Sequence, residues 1–177
     1  MSYTPNNISL NRDSTTEGLT LTLVKLPKMN AAEIDQLVEE QSLCRIAFKG
    51  PEYPYIAPFQ YVCMNNTLYF HFTDYGRKMS LLEKDDRVCV EIECYTKDLS
   101  RYQFVVLSGK LTVVTDSRER AKVARKMGEE GERKLSRNFL AAHGLKPEQG
   151  WPSLSQQKSF VIVKLGQVTE RLGLKSP

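Results

Sequence analysis

Several common features are missing from this chain, and each absence closes off a class of protein. No apolar run approaches the roughly 20 residues that cross a bilayer as a helix, so no membrane partner is expected. The first residues, MSYTPNNISLNRDSTTEG, hold no hydrophobic signal core; they read as a flexible polar leader over 1–18, ahead of one domain over 19–177. A cytoplasmic location is the default that follows. The four cysteines, Cys44, Cys63, Cys89 and Cys94, form no Cys-x-x-Cys pair. All fall in segments that read as strands, which favours reduced strand residues over disulfides or metal ligands. Histidine is scarcer still: His71 and His143 are the only two, far apart in sequence, so no metal site is expected. Basic charge is present but diluted. The net charge is +4 and acidic residues interrupt nearly every basic run, unlike the concentrated stripe of a nucleic-acid-binding protein.

What remains is enough for one core, with 41% hydrophobic residues in 177. Asn30 precedes AAEIDQLVEEQ with Glu33 at the capping-box position, and Ile34, Leu37 and Val38 make one apolar stripe, so a helix starts there. Ahead of it, Leu19–Lys25 alternates as a short strand that Pro27 stops. From Ser42 onward the period changes to two. Cys44, Ile46 and Phe48 share a strand face; a strand over Tyr53–Met64 carries Pro54 and Pro58, which cannot donate to a ladder and therefore mark an open edge or a bulge. Asn65-Asn66 is a hairpin turn. Leu68, Phe70 and Phe72 then point one way, and Tyr69, His71 and Thr73 the other. Arg87–Cys94 reads as a further strand. Tyr102–Val114 is a long one, broken at Gly109 where a bulge would curl the sheet, and Lys158–Val168 is the last. Short strands in hairpin succession predict a six-stranded antiparallel barrel or curled sheet with flanking helices.

Between these strands lies a charged helical segment, about 117–143. Asp116 caps its first helix, Ala121, Ala124 and Met127 form a weak stripe, and Gly128 and Gly131 are expected to break it. A second helix carries Leu135, Phe139 and Leu140 and ends at Gly144, with His143 a favourable cation in its last turn. Gly150-Trp151-Pro152 reads as a loop. The segment as a whole is expected to be a solvated cover beside the barrel.

The stretch Tyr69–Val90 poses an electrostatic problem. A short helix over Arg77–Lys84 begins with two cations, where unpaired N–H groups already carry partial positive charge. Chance surface placement is one reading. The other is that an anion, phosphate being the usual case, is held there by Arg77, Lys78 and the helix N–H groups.

Four pieces in order, Pro54-Tyr55-Ile56-Ala57-Pro58, Leu68-Tyr69-Phe70-His71, Gly76-Arg77-Lys78 and Asp86-Arg87-Val88-Cys89-Val90, resemble the flavin-binding split-barrel superfamily that includes pyridoxamine 5′-phosphate oxidase. Within it the chain is most similar to the nitroimidazole-resistance branch, and the resemblance covers roughly 30–114 plus the strand near Phe160. It implies a split β-barrel and a homodimer with FMN at its interface. It also implies an oxidoreductase that reduces a small organic substrate, a nitroaromatic among the candidates, with reduced nicotinamide as electron donor. It assigns the FMN phosphate to Arg77 and Lys78, the flavin ring to Pro58, Phe59, Gln60 and Tyr61, often through their backbone, and further contacts to His71, Phe72 and Thr73. His71 is the candidate proton donor; satisfying a neighbouring polar group is its plainer role. Two departures weaken the case for pyridoxamine phosphate itself as substrate: Gly76 stands where the oxidase has serine, and the oxidase's C-terminal phosphate-binding residues have no match after Gly150. A non-catalytic flavin carrier and a haem-binding relative of the same fold are the alternatives.

Overall fold

In the computed structural model, which describes residues 25–156 and 160–177, six antiparallel strands close into a barrel. They are β1 Leu43–Phe48, β2 Tyr55–Met64, β3 Thr67–Thr73, β4 Arg87–Tyr95, β5 Tyr102–Val113 and β6 Phe160–Lys175, in the order β1-β2-β3-β6-β5-β4. Three α-helices flank them: α1 Ala31–Glu40, α2 Arg77–Lys84 and α3 Ser117–Lys134. This is the mainly-β, six-stranded antiparallel barrel that the alternation predicts. The leader and all but the last residue of the strand expected at Leu19–Lys25 lie outside the described residues.

Period-two alternation fills the barrel. Cys44, Ile46 and Phe48 of β1, Phe59 and Tyr61 of β2, Leu68, Phe70 and Phe72 of β3, and Val88, Val90 and Ile92 of β4 join one buried cluster, on which Ile34, Leu37 and Val38 of α1 pack. The α1 capping box forms as expected, Asn30 and Glu33 each accepting from the other's backbone N–H. All four cysteines are free and lie on strands. At Asn65-Asn66 both φ angles are positive, 50° and 58°, the geometry of a two-residue hairpin turn. The irregularity expected at Gly109 is present, but its surplus lies on the neighbouring strand. Pairing between β5 and β6 jumps from Ser108↔Glu170 to Lys110↔Gly166, so β6 carries the extra residues. A Cβ on Gly109 would come within 2.8 Å of the Gly166 carbonyl oxygen.

Three expectations are corrected. First, β6 does not stop at Val168 but continues to Lys175, its second half pairing with β5 from Ser108 to Gln103. Beyond the bulge Val168, Thr169, Glu170 and Arg171 are all exposed, so no alternation announces the strand. Second, α3 is one unbroken helix through Gly128 and Gly131. Trp151 is the reason: a Cβ on Gly131 would lie 2.2 Å from its indole, and one on Gly128 3.3 Å from its backbone. The glycines admit the Trp151 segment against the helix rather than ending it. The buried stripe is accordingly Val123, Ala124 and Met127 with the two glycines, and Ala121 is exposed. Third, the expected second helix is a 3-10 segment, Arg137–His143, and Trp151 opens another, Trp151–Gln156, fully buried rather than in an open loop. A second buried cluster results, outside the barrel, uniting Val62, Tyr69 and Ile162 of the strands with Val123, Met127, Leu140, Trp151 and Leu154.

Candidate functional site

The site begins where two strands part. β2 pairs with β3 only from Met64↔Thr67 to Tyr61↔Phe70, while its first half, Tyr55–Gln60, pairs with β1 alone. His71, Phe72 and Thr73 pair only with β6. Pro58 lies in this half, paired with Arg45 of β1 and open on the side toward β3. Lacking an N–H, it cannot donate across the gap, so the open edge foreseen from its sequence position falls here. A cleft of about 640 Å³ occupies the split.

Six of the residues singled out from the sequence line it: Pro58, Phe59, Gln60, His71, Thr73 and Lys78. The other three do not put side chains into it. Tyr61 and Phe72 point into the barrel, where Tyr61 donates its hydroxyl to the Val38 carbonyl at 2.8 Å and Phe72 stacks on Phe59 at 4.9 Å. Arg77 is exposed and lies over the Tyr55 ring, 4.6 Å from its centroid. The cleft also draws in residues that strand alternation could not identify, above all Phe139 and His143 from the segment after α3, and Tyr75 from the turn before α2.

The charge conflict at the start of α2 is real in three dimensions. Gly76 is the N-cap, with φ 93° and no side chain to cap the helix, and the first turn contains no acid. A backbone at that φ is strained for any residue with a side chain, which accounts for glycine at this position. Among the described residues neither Arg77 nor Lys78 pairs with a carboxylate. Lys78 is half-buried, its ammonium 5.0 Å from the Phe59 ring centroid and 5.9 Å from that of Phe72, and burial pulls its pKa down. No aspartate or glutamate lines the cleft among the described residues. The site is therefore positive and short of a counter-ion.

Above β3 the polar groups are shared out unevenly. Tyr69 donates to Glu119 of α3 at 2.8 Å, and Lys164 of β6 donates to the same carboxylate at 2.9 Å. Burial and that hydrogen bond raise the Tyr69 pKa to about 12. Gln60 donates to the Met127 carbonyl at 3.2 Å, which ties β2 to α3 and leaves its Oε1 buried without a partner among the described residues. His71 meets His143, their Nδ1 atoms 3.0 Å apart, and stacks on Phe160 at 4.0 Å. Each histidine is only 9% exposed. Burial drives both pKa values well below the ordinary imidazole range, with His143 and the Lys78 ammonium disfavouring positive charge on His71 and Lys78 disfavouring it on His143. The expectation of a cationic His143 at a helix terminus is thus overturned: the ring turns inward, away from solvent, and is neutral.

A closed six-stranded antiparallel barrel, split between β2 and β3 and carrying a cationic cleft at the split, defines the class. The chain belongs to the pyridoxamine 5′-phosphate oxidase family, whose model matches residues 30–148. Among solved structures it is similar to a FAD-binding protein from Mesorhizobium loti, with a TM-score of 0.63 and 16% identity over 87% of this chain and 100% of that one. A protein from Bacteroides thetaiotaomicron named for 5-nitroimidazole antibiotic resistance gives a TM-score of 0.60 and 18% identity over 93% and 96% of the two chains. HutZ, the haem storage protein of Vibrio cholerae, gives 0.58 and 19% over 82% and 94%. At these identities the likeness is one of fold. No curated protein matches the chain.

Proposed function

We propose that the cleft binds FMN and that the protein is an FMN-dependent oxidoreductase acting on a small organic substrate. The observation that carries this reading is the start of α2, where two cations without carboxylate partners sit on an uncapped helix N-terminus beside the cleft. A phosphate dianion there would accept from the free N–H groups and from Arg77 and Lys78, removing the conflict. The rest of the cleft is compatible with the remainder of the cofactor. Its volume falls within the roughly 300–1,000 Å³ of small-molecule sites, and Pro58, Phe59, Gln60, His71 and Thr73 edge it. The buried, unpartnered Gln60 Oε1 offers an acceptor to a ring N–H. The bound flavin would supply the redox chemistry, and the chain would supply orientation and charge.

A homodimer with the flavin at its interface fits the surface around the cleft. Tyr75 on its lining and Ile56 on β2 are 68% and 62% exposed, large apolar groups of the kind a second copy buries. A nitroaromatic substrate and reduced nicotinamide as electron donor complete the proposal, and His71 is the candidate proton donor.

The absorption spectrum of the purified protein is the first test. Flavin bands are expected; a Soret band would replace FMN with haem. Anaerobic addition of reduced nicotinamide should bleach the flavin, and its failure with both nicotinamides would leave a carrier rather than a reductase. The decisive variant is Arg77→Ala with Lys78→Ala. Hydrogen bonds to charged groups contribute about 1.5–3 kcal/mol each, so losing the pair should weaken FMN binding by about 10² or more in titration calorimetry, with the fold intact by circular dichroism. Unchanged affinity would refute the phosphate assignment.

A further inference from the structure

His71 and His143 arrive at one point from remote parts of the chain, β3 and the 3-10 segment behind α3. Their Nδ1 atoms, 3.0 Å apart, are within hydrogen-bond distance. Two bare nitrogens facing each other at that distance would repel, and two N–H groups would clash, so the pair holds one hydrogen between them. Neutral imidazole carries a single N–H. The ring that owns the shared Nδ1–H therefore has a bare Nε2, and its partner, bare at Nδ1, has an Nε2–H. Both rings line the cleft, and both Nε2 atoms are buried without a partner among the described residues. The surroundings leave little room for ionisation. Phe160 stacks on His71, Phe139 and Trp151 pack edge-on against His143, and the charged group facing the pair is the Lys78 ammonium of α2.

We propose that His143 is a positioning residue for His71: the shared Nδ1–H holds the two rings as opposite tautomers, so that the pair offers one Nε2–H donor and one bare Nε2 acceptor. The pair is then able to relay a proton with no net gain of charge once uptake and release are both complete. A proton taken up at the bare Nε2, from water or a bound ligand, is matched by passage of the shared hydrogen to the other Nδ1. That ring's Nε2–H then leaves to a water or ligand acceptor. Both rings begin and end neutral, with their tautomers exchanged. The cleft thus gains a two-ring proton conduit whose entry and exit, the two Nε2 atoms, belong to different elements, β3 and the 3-10 segment Arg137–His143. This inference does not depend on which cofactor the cleft binds.

Because the chain contains only two histidines, ¹⁵N-histidine labelling of the full-length protein gives two ring systems to assign. Two-bond ¹⁵N–¹H correlation spectra are expected to show one ring protonated at Nδ1 and the other at Nε2, both neutral from pH 7 to pH 5. Two rings of the same tautomer, or either ring protonated at pH 6, would overturn the proposal. His143→Asn places an amide near the Nδ1 position and should keep His71 in a single tautomer. His143→Phe preserves the ring but removes the partner nitrogen, and should release His71 into a tautomer mixture. A tautomer of His71 unmoved by His143→Phe would reduce His143 to packing. If either variant fails to fold, the wild-type spectra decide the question alone.

Discussion

The two faces of β3 are almost equally buried and for different reasons. Leu68, Phe70 and Phe72 on the inner face are 3%, 0% and 0% exposed; Tyr69 and His71 on the outer face are 7% and 9%. The inner residues are enclosed by other strands, notably Phe48 and Phe59, and contribute through apolar area and ring contacts alone. The outer residues are enclosed by α3, the two 3-10 segments and β6, and the polar groups of Tyr69 and His71 there are each committed to a partner, while Trp151 Nε1 is buried without one among the described residues. Burial does not separate the two faces. What separates them is what each polar group must find once water is gone.

The inner face breaks hardest. Phe72→Ala removes a fully buried ring that stacks on Phe59 and lies near Phe48, and should lower stability by about 3–5 kcal/mol in urea unfolding. That loss should be nearly independent of pH between 5 and 7, since nothing titratable is added or removed. A loss below about 1 kcal/mol would mean that the barrel collapses around the gap, contrary to a tightly packed interior.

Acid should instead pick out the outer face. His71 and His143 are neutral in the fold, with pKa values held below the 6.5 of the unfolded chain by burial. The unfolded state therefore binds more protons, and stability falls as pH drops below 6.5. Each ring contributes a slope approaching about 1.4 kcal/mol per pH unit, which amounts to about 3 kcal/mol for the pair between pH 6.5 and pH 5. Glu33, Asp85, Glu119 and Glu130 are held below their ordinary range and titrate mainly beneath this window. Glu91, which burial raises, would bind more protons in the fold and offset the loss rather than add to it, so the loss belongs to the histidines. A stability curve flat from pH 7 to pH 5 would show that neither ring is held neutral by burial, and a loss of about half that size would leave only one of them so held.

The same contrast explains how much the sequence could tell. Barrel strands are legible because alternation is a local signal, and Leu68, Phe70 and Phe72 announce their face within six residues. The split is legible too, through Pro58, and so is the charge conflict at the start of α2, through Arg77 and Lys78. The outer layer is not. Its glycines at 128 and 131 carry the same letters as helix breakers, and only Trp151, some twenty residues on, explains them. His143 reads as a terminal cation until the fold places His71 against it. A signal was available in one respect: a chain with two histidines, one of them on a cleft-lining strand, invites the question of whether the other approaches it. Sequence spacing alone could not answer that.

The smallest expected effect sharpens the comparison most, because it concerns a single oxygen on the outer face. Tyr69→Phe leaves the ring in place among Val62, Val123 and their neighbours and removes only the hydroxyl that donates to Glu119. Were the outer face apolar in character like the inner one, this change would be neutral. A hydrogen bond to a charged acceptor contributes about 1.5–3 kcal/mol, and the lower end applies here because Lys164 continues to donate to the same carboxylate. The Glu119 carboxyl is held below its usual range first by Lys164 and then by Tyr69, so the variant should also raise its titration. Tyr69→Phe should cost about 1.5 kcal/mol at pH 7 and less once acid titrates the Glu119 carboxylate, below its ordinary range, because the bond is then no longer charge-assisted. Combined with Glu119→Gln, the two substitutions should fall short of additivity by about 1 kcal/mol, since either one removes the charged bond they share. Full additivity would mean that α3 rests on β3 through apolar contact alone, and the two faces of the strand would then differ in composition but not in the forces that cover them.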